Sequence, residues 1–191
     1  SYICGHKSAI CTMKNDSSVL LIFTGGTISM GENPATQSLS PLDSAQVLSF
    51  IPELKMLRVN ISSVSFNPLI DSSDIQPESW VRIAEIIRDH YDAFDGFVVL
   101  HGTDTMAYSA SALSFMLENL TKPVIFTGSQ LPVGVLRSDA KENLITAIEL
   151  AAAKNERHEA MVPEVCLFFE DKLMRNRTFA FDNTLRRVLN N

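Results

Sequence analysis

Short apolar runs of strand length alternate along the chain with amphipathic stretches of helical spacing. Residues 19–24 (Val-Leu-Leu-Ile-Phe-Thr), 97–100 (Phe-Val-Val-Leu), 124–127 (Val-Ile-Phe-Thr) and 165–169 (Val-Cys-Leu-Phe-Phe) are near-continuous apolar segments. Such runs predict strands buried on both faces of a sheet. Residues 57–66 contain β-branched side chains and read as a further strand. Between them, residues 44–51 suggest a short helix ending at Pro52. Pro77 stands where a helix accepts proline, in its first turn, and positions 80, 83, 84, 87 and 91 then make one apolar face. Met106, Ala110, Leu113, Leu117 and Leu120 form a second stripe, read as core. Asp139 with Glu142 reads as a helix start, with Leu144, Ile148, Ala151 and Ala152 facing inward. Beyond Arg175 no clear pattern continues. Alternating strands and helices predict an α/β fold: a doubly wound, mostly parallel sheet with helices on both faces and right-handed crossovers.

The polar residues gather where these strands end. Thr24-Gly-Gly-Thr27 follows the first strand, Asp71-Ser72-Ser73-Asp74 precedes the Pro77 helix, His101-Gly-Thr103-Asp104-Thr105 follows the central strand, and Gly128-Ser129-Gln130 follows the next. Each has an ordinary reading as a tight turn or helix cap, with Thr or Asp able to cap the helix that starts at Met106. In a parallel sheet, however, all four lie on the carboxyl edge, where ligands bind. Thr27, Ser72, Ser73, Thr103 and Ser129 supply hydroxyls, and Asp71 and Asp104 supply carboxylates. That set suits acyl transfer by a hydroxyl nucleophile, which needs a base to take its proton. Asp104 can orient such a relay or hold an ammonium group, while Ser72 and Ser73 with nearby N–H groups can hold a carboxylate. Together they describe a pocket for a zwitterion such as an amino acid. His101 is a rival base, read instead as a structural, hydrogen-bonded histidine. Residues 30–41 are small and polar, long enough for a mobile lid over Thr27.

Composition narrows the partners. With 191 residues, 46% hydrophobic and 20% charged, the chain reads as one soluble globular domain. A net charge of −6 with scattered Lys and Arg argues against a nucleic-acid or anionic-membrane surface. Cys4, Cys11 and Cys166 form no disulfide framework, and they show no metal-ligand spacing with the histidines. No apolar run approaches a membrane span, and the first eighteen residues lack the apolar core of a signal peptide. Met13-Lys14 makes a natural start, with residues 1–12 upstream of it. A cytoplasmic protein is the simplest account.

The pair Thr24-Gly-Gly-Thr27-Ile and His101-Gly-Thr-Asp-Thr105 closely resembles the two signature stretches of the bacterial-type L-asparaginase family. Asp71-Ser-Ser-Asp74, the run from Asp95 to Asn119, Thr127-Gly-Ser-Gln-Leu-Pro132 and Arg137-Ser-Asp139 resemble its cytoplasmic, type I branch. The likeness covers about residues 19–178 and makes residues 19–191 an asparaginase-like N-terminal domain behind an extension of residues 1–18. It implies hydrolysis of L-asparagine to L-aspartate and ammonia without metal or cofactor. Thr27 would be the nucleophile and Thr103 and Asp104 the second catalytic cluster, with Asp104 also holding the α-amino group. Asp71, Ser72 and Ser73 would hold the α-carboxylate and α-amino ends, and Ser129 would help line the site of the amide oxygen. The full-length protein would be a dimer or tetramer.

Three features depart from that family. Its members carry a smaller C-terminal domain that completes the partner subunit's site, and this chain stops after the N-terminal one. Residues 30–41 contain no tyrosine, although many members place one there; Leu39 is the nearest counterpart. The family's Arg-Gly-Asn-Arg-Thr-Thr-Lys survives only as Arg175-Asn-Arg-Thr178 before Phe179, so the lysine that partners the Thr-Asp pair is missing, and Lys172 comes too early. The expectation is an incomplete chain with little activity as it stands. Two other readings follow: the glutamine-hydrolysing subunit of a tRNA-dependent amidotransferase, and a non-catalytic amino-acid-binding module.

Overall fold

The structure, a computed structural model, describes residues 17–32 and 38–175. The run after Arg175, residues 1–16 and the centre of the expected lid lie outside the described residues. The described residues form eight strands and four α-helices: β1 Ser17–Gly25, β2 Met30–Glu32, β3 Leu39–Pro41, α1 Ser44–Ser49, β4 Val59–Ile70, α2 Pro77–His90, β5 Gly96–Leu100, α3 Met106–Met116, β6 Val124–Thr127, α4 Ala140–Ala152, β7 Val165–Phe169 and β8 Lys172–Arg175. Six strands form one sheet in the order β4-β1-β5-β6-β7-β8, parallel except for β8 against β7.

The apolar runs are buried on both faces because alternate residues point to opposite helical layers. Val19, Leu21, Phe23, Val98, Leu100 and Ile125 pack with Val47 of α1 and Leu144, Ala147 and Ile148 of α4. Leu20, Ile22, Phe97, Val99 and Phe126 pack with Ile83 and Ile87 of α2 and Met106, Ala110 and Leu113 of α3. The helices are therefore divided between the faces, as a doubly wound sheet requires.

One topological expectation is corrected. The β4–α2–β5 and β5–α3–β6 crossovers advance in the same direction with their helices on one face, whereas β6–α4–β7 continues that way with α4 on the other. Its hand is opposite to theirs. The turn before α4 carries the chain across the sheet edge, and the Asp139 carboxylate holds it by accepting from Gln130 N at 2.9 Å and Leu131 N at 3.1 Å. Asp139 occupies the N-cap position of α4, but its side chain serves this turn and makes no cap bond.

Two other differences are local. The 30–41 segment is anchored by an antiparallel pair, Met30–Glu32 with Leu39–Pro41. The chain also continues past β7 into β8, an edge strand that no apolar run announces.

Candidate active site

β1 and β5 are parallel neighbours, and with β4 on the other side of β1 they bring three polar turns to one edge. Thr24 Oγ1 donates to Leu100 O at 2.9 Å, which ties the ends of β1 and β5 together. Gly26 then adopts φ 85°, and a Cβ there would stand 2.4 Å from Gly102 Cα. Only glycine allows both the left-handed backbone and this approach. Thr27 follows as the first residue of a single 3₁₀ turn, Thr27–Ser29, and is half-buried.

From β4, the Asp71 carboxylate accepts from Ser73 N and Ser73 Oγ, both at 2.9 Å. These bonds hold the Asp71 carboxyl below its ordinary range. Ser72 is buried, and its Oγ donates to Asp104 Oδ2 at 3.4 Å. Thr105 Oγ1 donates to Ser72 O at 2.7 Å, so the Ser72 turn is held to the 102–105 turn at two points. The expected side-chain cap on α3 is not formed: Thr105 sits at the N-cap position with its hydroxyl committed to Ser72.

Between these turns lies a cavity of about 460 Å³. Thr27, Asp71, Ser72, Thr103 and Asp104 all line it, although they come from three separate strand ends. Ser73 and Ser129 do not. Ser73 is spent on Asp71, and Ser129 is 1% exposed with its Oγ donating to Leu131 O at 2.7 Å. Met30, Leu39 and Pro41 of the β2–β3 ribbon and Leu69 and Ile70 of β4 add an apolar rim. Gln130, named in the sequence only as the end of a polar cluster, and Ser29, not singled out there, are further polar lining residues. Their positions beside Thr27 and Ser129 were the available signal.

Among the described residues that line the cavity are Asp71 and Asp104 but no Lys or Arg, so their charge favours a cationic group. Hydroxyls and turn N–H groups supply the donors that an anionic group needs. Among the described residues neither the Thr27 nor the Thr103 hydroxyl has a hydrogen-bond partner, which leaves both available to a ligand. His101 is 1% exposed, outside the cavity wall, and its Nδ1 meets Gly102 O at 2.8 Å. Burial pushes its pKa down to about 4, so the ring is neutral. Asn143 is a further positioning group: its amide donates to Gly128 O at 2.9 Å and accepts from Glu170 N at 3.0 Å.

Comparison with known proteins agrees with this geometry. The family described as "Asparaginase, N-terminal" matches residues 18–186. L-asparaginase 1 of Escherichia coli K12 is 48% identical over 165 residues, covering 84% of this chain and 46% of that protein. A mouse protein named 60 kDa lysophospholipase is 50% identical over 126 residues, covering 65% of this chain and 21% of its own. The crystal structure of L-asparaginase I from Vibrio cholerae superposes with a TM-score of 0.71 at 43% identity, over 84% of this chain and 46% of that one. The chain therefore spans about half the length of these asparaginases or less. Two signature turns meeting in one cavity, and a family match across most of the sequence, lead to one conclusion: the chain belongs to the asparaginase family and corresponds to its N-terminal domain.

Proposed function

We propose that this protein contributes the nucleophile-bearing half of an amidohydrolase site that hydrolyses L-asparagine to L-aspartate and ammonia. The observation that carries this reading is the convergence of Thr27, Asp71-Ser72 and Thr103-Asp104 on one cavity. The exposed Asp104 carboxylate receives the substrate α-ammonium, and the Ser72 turn receives the α-carboxylate. Ser73 acts through Asp71, and Ser129 by holding the turn that ends β6. The side-chain amide then lies against Thr27. Thr27 Oγ attacks the amide carbon as its proton passes to a base, and the tetrahedral intermediate expels ammonia once the leaving nitrogen is protonated. Water attacks the resulting Thr27 ester, releases aspartate and restores the hydroxyl. Thr103 is the neighbouring hydroxyl of that proton relay.

A cytoplasmic setting suits the free, buried Cys166, and the exposed Tyr108 and Phe115 of α3 suit assembly into an oligomer. The two unpartnered hydroxyls also favour a second reading, an amino-acid-binding module without turnover. Ammonia release from L-asparagine and L-glutamine, with Thr27→Ala as control, separates the readings. Release that depends on Thr27 and is faster from asparagine supports the proposal. Release unaffected by Thr27→Ala overturns it, and calorimetric binding of L-aspartate with no release supports the module.

A further inference from the structure

His101 is a buried polar side chain that the reaction described above does not use. Its Nδ1 lies 2.8 Å from Gly102 O, a group that can only accept, so the ring proton is on Nδ1. Its Nε2 is then a bare acceptor, and it is buried with no partner among the described residues. The ring otherwise packs in an apolar setting, tilted against Phe126 with centroids 6.0 Å apart. The backbone bond from His101 N to Thr127 O at 2.9 Å would survive any side chain. What the imidazole alone adds is the Nδ1–H on the Gly102 carbonyl, held at the expense of an unsatisfied nitrogen.

That carbonyl belongs to the same planar peptide as the Thr103 N–H, and in a trans peptide the two point in opposite directions. With the carbonyl turned to the buried ring, the Thr103 N–H faces away from it, on the side where Thr103 lines the cavity. The N–H has no partner among the described residues. The same Gly102 backbone is the surface against which Gly26 packs. We propose that His101 is a positioning residue: its Nδ1–H fixes the Gly102–Thr103 peptide, and through it the Thr103 N–H and the approach of the Gly26-Thr27 turn. The proposal rests on the reading of Thr27 and Thr103 as the reacting pair.

The test uses the full chain with His101→Asn, His101→Gln and His101→Leu. Asparagine places an amide N–H near the Nδ1 position, glutamine places it near Nε2, and leucine has none. Nitrogen NMR of the unchanged protein at neutral pH is expected to show a His101 ring protonated on Nδ1 and bare on Nε2. Amide exchange at Thr103 and Gly26 is expected to quicken by about tenfold or more in the Gln and Leu variants and to stay within about threefold in Asn. Where ammonia release is measurable, the Gln and Leu variants are expected to lose kcat by about tenfold or more with KM little changed, and Asn to restore it. A ring protonated on Nε2, or Asn and Gln variants that behave alike, would overturn the proposal. An unchanged protein that releases no ammonia counts against the amidohydrolase reading alone, because the tautomer and the exchange rates still decide the role of His101.

Discussion

At the scale of single residues, Thr27 and Asp104 differ in what their loss should remove. Thr27 is half-buried with no side-chain hydrogen bond among the described residues, so Thr27→Ala is expected to end ammonia release while leaving the melting temperature nearly unchanged. Asp104→Asn is expected to weaken ligands that carry a free α-amino group by about 1.5–3 kcal/mol, roughly 10- to 150-fold in affinity. Ligands without that group should bind the variant as before, and calorimetry on both kinds checks the difference. His101 makes a separate prediction for stability. Its pKa is lowered by burial from 6.5 to about 4, so between those values the unfolded chain binds a proton that the folded chain does not. Stability should therefore fall as pH drops through that window, by an amount approaching about 3 kcal/mol near pH 4. Denaturant midpoints at pH 7, 5.5 and 4 should show this slope, and His101→Asn should lack it.

At the scale of elements, the site depends on how closely turns pack. Gly26→Ala would put a Cβ 2.4 Å from Gly102 Cα at a residue with φ 85°. The left-handed backbone alone costs about 1–2 kcal/mol, and the clash must also push the two turns apart. Thermal melting should register the loss, and Thr27-dependent activity should fall further than stability does. Asp139→Ala removes the acceptor for Gln130 N and Leu131 N, an expected loss of about 1–3 kcal/mol with the helix content of α4 unchanged by circular dichroism. The same features show what was legible in the sequence. Buried strands were, because a run such as Phe97–Leu100 has no polar side to misplace. So was the start of α2, because Pro77 is compatible with so few helical positions. Thr105 and Asp139 were not, because each prefers a tertiary partner to the helix end beside it. The β7–β8 hairpin gave no signal either. Its turn places Glu170 at φ 55° without the usual glycine or asparagine, and the backbone there is held from a distance by Asn143. The cavity was readable as four polar strand ends, but the exclusion of Ser73 and Ser129 depended on bonds to Asp71 and Leu131 that no spacing encodes.

At the scale of the molecule, the chain spans about half of L-asparaginase 1. Extending the 191 residues with the C-terminal portion of such a relative should raise ammonia release by two or more orders of magnitude, because excluding water and adding a base both strengthen the reaction's electrostatics. Equal rates for the extended and unextended chains would mean that the described cavity needs no further groups. The central claim, that Thr27 carries the acyl group, can be tested without the extension. An activated ester loses its leaving group without needing a proton, so the site has only to take the Thr27 hydroxyl proton for acylation to proceed. The decisive measurement is peptide mapping by mass spectrometry after incubation with an activated β-ester of L-aspartate and acid quenching. The account predicts one aspartyl group on the peptide bearing Thr27, absent from Thr27→Ala; an adduct on Thr103, or one that persists in Thr27→Ala, would contradict it.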